Sequence, residues 1–129
     1  MSKGEEKIIT LLQKGQFRFE REKSFEDLKM GRYRFDFYVY HYDRRVIIEF
    51  QGQQHYQYIE KFYRNRAQFE SAKERDRRKI SYCLAKNIPI YIIPYWEIDN
   101  IHSAADLFNQ KFLAKNRWKN DKDWQNRKI

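Results

Sequence analysis

The sequence predicts an α/β fold in which a central mixed β-sheet is flanked by helices. Residues 34–40 and 46–51 are rich in aromatic and β-branched side chains, and the short polar link between them predicts an antiparallel hairpin. Residues 66–86 have apolar side chains at helical spacing, and the apolar run 89–94 follows directly. A helix between two strands predicts a β-α-β crossover, and therefore at least one parallel strand pair.

The composition indicates a single basic domain. The chain has 129 residues, 27 Lys and Arg against 18 Asp and Glu, a formal net charge of +9 and 18% aromatic residues. This combination favours a polyanionic partner, nucleic acid above all, over a generic basic protein. Cys83 is the single cysteine, which excludes an internal disulfide and suits a reducing compartment. The sequence shows neither a membrane span nor a signal peptide, so we expect a cytoplasmic protein with no membrane partner.

The N-terminal segment predicts a helix from an N-cap at Ser2 to about Lys14, ended by Gly15. Glu5 lies in its first turn, where a negative charge suits the helix dipole, but it also shares a face with apolar residues three and four positions later. The simpler interpretation of Glu5 is a helix-start charge. Residues 17–21 alternate and predict a short edge strand, and residues 22–31 predict a polar connection with a helical turn around 24–28.

The hairpin is the first candidate for a metal site. If Tyr40 faces Arg45 across a four-residue loop, Asp36 lies opposite Glu49, with the two side chains on one face and about 5 Å apart at Cβ. Two facing carboxylates repel each other, and a cation between them would remove that repulsion. His55 follows Glu49 by six residues in a polar loop, where a structural role and a functional role are both open.

The long helix places a carboxylate on its apolar stripe. The spacing of three and four residues requires a core-facing residue at position 76, and that residue is Asp76, with Lys79 as a candidate partner at i+3. A buried carboxylate is costly unless it is paired or binds a metal. The stripe consists of Phe69, Ala72, Asp76, Ile80, Cys83 and Leu84, and the neighbouring faces carry Lys73, Arg75, Arg77 and Arg78.

The C-terminal third predicts one further strand and one further helix. Asn87 is the expected left-handed cap of the long helix, and residues 89–94 are the expected strand buried on both faces. A helix is predicted from about Ser103 to Lys115, with Ala104, Leu107, Phe108 and Phe112 facing inward. Residues 1–115 therefore form the expected domain. Residues 116–129 form a basic tail, either a docked helix or an arm that orders on nucleic acid.

If both helices pack on the sheet, Glu5, Asp36, Glu49, His55 and Asp76 can converge on the hairpin. Acidic ligands with one histidine suit Mg²⁺ and phosphodiester hydrolysis, in which the carboxylates hold the ion and the histidine deprotonates water. Lysine and arginine side chains would contact the flanking phosphates.

The sequence also resembles a known nuclease family. Asp36, with Glu49-Phe50-Gln51, is similar to the PD-(D/E)XK signature, with Gln51 at the lysine position. Residues 34–38, 48–56, 76–83 and 92–95 resemble the Vsr-like endonucleases, and among them the phage homing endonucleases with an EDxHD site. The resemblance covers about residues 5–100 and implies a restriction-endonuclease-like (PD-(D/E)XK) core. The zinc-binding Cys and His residues of the repair enzymes are missing, so no zinc is expected.

The resemblance implies a role for each residue of the site. Asp36 would bind Mg²⁺, or Mn²⁺ as a substitute, together with a backbone carbonyl such as that of Phe50. His55 would act on the water or leaving group, Asp76 would orient His55, and Glu5 would be an additional carboxylate. The full catalytic set is Glu5, Asp36, Glu49, Gln51, His55 and Asp76, and the metal ligands are Asp36, Glu49 and Phe50.

The expected function is a Mg²⁺-dependent DNA endonuclease of the phage or mobile-element homing type, which nicks DNA or cuts both strands, in the host cytoplasm if phage-encoded. A structure-selective nuclease acting on branched DNA or on RNA, and a non-catalytic nucleic-acid-binding module, are the alternatives. A homodimer or a separate DNA-recognition partner would extend the target site. The expected DNA-contacting residues are Arg34, Lys73, Arg75, Arg77, Arg78, Lys79, Lys115, Arg117 and Lys119.

Overall fold

The computed structural model describes residues 1–114 and shows a mixed α/β fold with one four-stranded sheet. The elements are α1 (Lys3–Lys14), β1 (Arg18–Ser24), β2 (Arg34–His41), β3 (Arg44–Gln51), α2 (Arg66–Ala85), β4 (Ile90–Pro94) and α3 (Ala104–Leu107). The strand order is β1-β2-β3-β4. The first two pairings are antiparallel, and β3 pairs with β4 in parallel through α2, as the hairpin and crossover predicted. No helix within residues 1–114 is long and apolar enough to cross a membrane.

The predicted register of the hairpin is confirmed. Tyr40 pairs with Arg45, and the pairing runs inward from there to Phe37 and Ile48. The loop is shorter than predicted, because His41 also pairs with Arg44 and leaves a two-residue turn. Tyr42, the first residue of that turn, has a φ of 59°, the left-handed conformation that tight hairpin turns require.

Two hydrophobic clusters cover the two faces of the sheet. One contains α1 residues, with Phe37 and Ile48 from the hairpin, and the other contains α2 residues, with Phe35 and Ile47. Phe35 and Phe37 are two residues apart and would share a face of a regular strand, yet they belong to different clusters. Opposite them in β1, Glu22 has a φ of 56°, so the regular alternation breaks at this point of the sheet. The residue between the two phenylalanines is Asp36.

Ser2 and Asn87 form the helix caps that the sequence predicted. Ser2 caps α1 by accepting a hydrogen bond from the Glu5 N–H at 3.1 Å. Asn87, just beyond α2, has a φ of 58° and is the predicted left-handed cap. On the apolar stripe of α2, Asp76 is buried as predicted, whereas the side chain of Leu84 is 41% exposed, so its assignment to the stripe was wrong.

The predicted helix from Ser103 to Lys115 is wrong. After the single turn of α3, Asn109 adopts an extended conformation and the chain forms only a short 3₁₀ turn over Gln110–Phe112. Leu113 then forms an antiparallel β-bridge with Tyr91 of β4, and the Ala114 N–H donates to the Ile90 carbonyl at 2.9 Å. Covering the open edge of β4 satisfies its backbone groups, which a continuous helix would not do. The predicted tail, residues 116–129, lies outside the described residues.

The first strand also differs from prediction. It was predicted over residues 17–21 and continues to Ser24, where the helical turn around 24–28 was expected to begin. The predicted turn is present just after the strand, where the Leu28 N–H donates to the Phe25 carbonyl at 3.0 Å, and the 3₁₀ segment Lys29–Gly31 follows it.

Candidate active site

A cavity of about 160 Å³ opens at the end of the hairpin, where the N-terminus of α1 and the middle of α2 meet the sheet. Its lining includes four of the residues that the sequence singled out: Glu5, Asp36, Glu49 and His55. Phe50, the predicted carbonyl ligand, also lines it. The remaining lining residues are Ser2, Gly52, Gln54 and Lys79.

The two carboxylates of the hairpin are locked across the two strands. The Asp36 N–H donates to Glu49 Oε2 at 2.6 Å, and the Phe50 N–H donates to Asp36 Oδ2 at 2.9 Å. These bonds take the place of ladder hydrogen bonds just beyond the Phe37–Ile48 pair. Each carboxylate is thus held in place by the backbone of the opposite strand.

Lys79 of α2 provides the positive charge beside this pair. Its ammonium forms an ion pair with Glu49 Oε1, and the two side chains are only 11% and 8% exposed. Burial is the largest single effect and would lower the pKa of Lys79, but the charge and hydrogen bond of Glu49, together with the charges of Asp76 and Asp36, outweigh burial and raise that pKa. The predicted pairing of Lys79 with Asp76 at i+3 is therefore wrong: Lys79 contacts the sheet, thirty residues away in the chain.

Asp36 is electrostatically the most perturbed carboxyl of the site. Burial, and then the neighbouring Glu49 charge, raise its pKa from 3.8 to about 9, although Lys79 and the Phe50 N–H act in the opposite direction. A divalent cation would favour the ionised form of such a group.

Asp36 and two glutamates near the start of α1 are close enough to share one ion. Glu5, Glu22 and Asp36 each offer an oxygen, and these oxygens lie within 4.8 Å of one another. Arg21 donates to Glu5 Oε2 at 2.9 Å and to the Asp36 carbonyl at 3.3 Å, and its guanidinium lies 4.8 Å from the Phe37 ring centroid. Glu5 is therefore more than a helix-start charge, because it is tied to the strand that carries Asp36.

His55 and Asp76 form a second polar pair at the cavity. His55 Nδ1 is 2.8 Å from Asp76 Oδ2, and Asp76 is 7% exposed on the buried face of α2. With Nδ1 donating to the carboxylate, Nε2 is the nitrogen that can exchange a proton with a molecule in the cavity. Gln51 is 2% exposed, and its Oε1 accepts a hydrogen bond from the Tyr56 hydroxyl at 2.7 Å, so it supports the loop that carries His55.

The predicted DNA-contacting residues differ widely in exposure. Arg34 and Arg75 are exposed, whereas Arg77 and Arg78 both pair with Glu74. Lys73 is 13% exposed at its side chain and lies 3.5 Å from Glu70. Buried Lys79 could contact only a phosphate that enters the cavity. Lys115, Arg117 and Lys119 lie outside the described residues.

Sequence reasoning missed Arg21 and Glu22 in this site and placed Lys79 on the DNA-binding surface. Pairing the first strand with the hairpin would have brought Arg21 opposite Phe37, next to Asp36. The contact between Lys79 and Glu49 has no local signal, because it joins α2 to β3 only in the folded chain.

Comparisons with known proteins do not identify the chain. No family model, no curated protein and no solved structure matches it.

Proposed function

We propose that the protein is a metal-dependent endonuclease that hydrolyses phosphodiester bonds in DNA, on a PD-(D/E)XK core of the Vsr-like, EDxHD homing type. One observation carries the proposal: a perturbed carboxylate, Asp36, and a carboxylate-bound histidine, His55, border the same small cavity. A buried carboxyl group with a perturbed pKa, near a histidine oriented by a second carboxylate, is typical of an active site rather than of a hydrophobic core.

The donor atoms fit a hard divalent cation. The cavity is lined by carboxylates, with Asp36 common to the predicted pair with Glu49 and to the group with Glu5 and Glu22. Oxygen donors select Mg²⁺ or Mn²⁺. The single cysteine, Cys83, is buried in the hydrophobic cluster on the α2 face and does not line the cavity. When bound, such an ion polarises the phosphate and acidifies a bound water.

The protein residues supply proton transfer and positioning. Asp76 holds the Nδ1–H of His55, which leaves Nε2 as the base that accepts a proton from water or the acid that donates one to the leaving oxygen. Proton transfer of this kind contributes about 10²- to 10⁴-fold in rate. Asp76 is a positioning residue because it acts through the His55 ring.

The charge of the chain supports DNA as the substrate. A formal net charge of +9 favours a polyanion, and exposed Arg34 and Arg75 are available for phosphates. Long-site recognition, as in homing, would come from a second copy, a separate partner or the basic C-terminal residues 116–129.

The test is cleavage of supercoiled plasmid in Mg²⁺, in Mn²⁺ and in EDTA. We expect conversion to open circle or linear DNA only with metal, and loss of that conversion in Asp36→Ala. The control is Asp27→Ala, since Asp27 pairs with Lys86 on the surface and should leave cleavage unchanged. Binding of DNA without cleavage under every metal condition would favour the non-catalytic binding module, and faster cleavage of branched DNA or RNA would favour the structure-selective nuclease.

The histidine pair has its own test. His55→Ala should lower the single-turnover cleavage rate about 10²- to 10⁴-fold, whereas alanine at exposed His102 should not change it. Asp76→Asn should lower the rate far more than DNA affinity and should alter the pH profile of cleavage. A loss of affinity without a change in rate would assign Asp76 a structural role.

A further inference from the structure

We infer that Tyr63, in the loop between β3 and α2, is a positioning residue that fixes the direction of the His55 side chain towards Asp76. This inference rests on the proposed function. The contact behind it is a hydrogen bond of 2.8 Å from the Tyr63 hydroxyl to the carbonyl of Gln54, the residue before His55.

The peptide unit between Gln54 and His55 is held at both of its polar ends. Its carbonyl accepts the hydrogen bond from the Tyr63 hydroxyl, and its N–H, which belongs to His55, donates to the Gly52 carbonyl at 3.0 Å. Because a peptide group is planar, two bonds at opposite ends of it leave little freedom to rotate. The orientation of that plane sets the direction in which the His55 side chain leaves the backbone.

The Tyr63 ring connects this peptide unit to the helix that carries Asp76. Its centroid lies 5.3 Å from the ring centroid of Phe69, which is buried in α2. Asp76 is also buried, about two turns further along the same face of the helix. Both ends of the 2.8 Å contact between His55 and Asp76 are thus tied to α2, His55 through Tyr63 and Asp76 directly.

The Tyr63 hydroxyl keeps its proton and acts only through the loop. Burial, and then the charge of Asp76, raise the pKa of Tyr63 above its ordinary value of 10.0, although Arg75 acts in the opposite direction. The hydroxyl is therefore a hydrogen-bond donor at neutral pH. Gln54 and His55 line the cavity, whereas Tyr63 does not.

Tyr58 offers a matched control in the same loop. Its ring also packs edge-on against Phe69, at 6.1 Å between centroids, but its hydroxyl forms no hydrogen bond within residues 1–114. Tyr63→Phe and Tyr58→Phe each remove one hydroxyl and keep the ring. Only Tyr63→Phe removes a bond to the peptide unit that carries His55.

The first measurement is single-turnover cleavage of plasmid DNA in Mg²⁺ at saturating protein, with DNA affinity measured in parallel. We expect Tyr63→Phe to cleave about tenfold more slowly, because His55 is no longer held in its best position. Its DNA affinity should be unchanged, and Tyr58→Phe should match wild type in both measurements. Equal rates for the two variants would overturn the inference, as would a loss of DNA affinity at an unchanged rate.

The second measurement needs neither DNA nor metal. It follows the exchange of the His55 Nδ1 proton with water by NMR, with the signal assigned by its loss in His55→Ala. We expect this exchange to be about tenfold faster in Tyr63→Phe, because the bond to Asp76 opens more often, and unchanged in Tyr58→Phe. Equal exchange rates in wild type and Tyr63→Phe would overturn the role of Tyr63. Wild-type protein that cleaves no DNA would remove the proposed function, and the exchange rates would still decide whether Tyr63 orients His55.

Discussion

Removing the ammonium of Lys79 should be the most destabilising single change in the site. Its partner Glu49 is 8% exposed and Lys79 itself 11%, so Lys79→Met leaves a buried carboxylate without its counter-charge. Removing one partner of a buried ion pair typically costs about 3–5 kcal/mol of stability, whereas replacing both partners by uncharged groups of similar volume often changes stability little. Because the total free energy of unfolding of a small domain is about 5–15 kcal/mol, Lys79→Met should remove a large part of the stability.

The assay is urea unfolding in EDTA at pH 7, followed by far-ultraviolet circular dichroism. We expect Lys79→Met to lose about 3–5 kcal/mol, and the double variant with Glu49→Gln to recover most of that loss. Lys86→Met is the matched control, since its pair with Asp27 is 51% and 56% exposed and should contribute less than about 1 kcal/mol. A Lys79→Met protein within about 1 kcal/mol of wild type would refute the buried pair.

Three further predictions test other parts of the structure. Gly4→Ala should lower the free energy of unfolding in urea by about 1–2 kcal/mol, because the new Cβ would lie 2.3 Å from the Phe50 ring. Helix propensity alone favours alanine by about 1 kcal/mol, so a variant more stable than wild type would contradict this packing. The pKa of Asp36 is about 9 in the folded protein, against an ordinary value of 3.8. The stability that Asp36 adds to the folded state is therefore complete below about pH 4 and declines as pH rises towards 9. In metal-free protein the free energy of unfolding should therefore fall more steeply with rising pH than in Asp36→Asn, and equal pH slopes for the two proteins would refute this prediction. Burial raises the pKa of the Cys83 thiol to about 12, so iodoacetamide at pH 8 should label it only after unfolding, and rapid labelling of the folded protein would contradict that burial.

Periodicity was sufficient for the features that repeat along one element. The alternation of the hairpin predicted the Tyr40–Arg45 register, and the helical spacing of α2 predicted that Asp76 would be buried. Both inferences use only the two- and 3.6-residue repeats, which are properties of the backbone. They were enough to bring Asp36 and Glu49 to one cavity, with His55 in the loop that follows.

Features that depend on how the elements pack were not predictable in this way. The i+3 spacing identifies only neighbours on the same helix. It therefore predicted Asp76 as the partner of Lys79, whereas the partner in the structure is Glu49 on the sheet. The apolar spacing after Ser103 resembled a helix, but the unpaired edge of β4 bound that segment as extended chain at Leu113 and Ala114. Tertiary hydrogen bonding overrode local pattern in the second case.

The break in alternation between Phe35 and Phe37 explains why the site lies where it does. In a regular strand Asp36 would face one layer only, but here its two neighbours pack into different layers. Asp36 therefore experiences both Glu5 from α1 and Lys79 from α2, and both affect its pKa. Glu22, held at a φ of 56°, marks this break on the adjacent strand and adds its carboxylate to the α1 side. A backbone irregularity thus places Asp36 between charges of opposite sign, because Glu5 of α1 and Lys79 of α2 both act on the same carboxyl group.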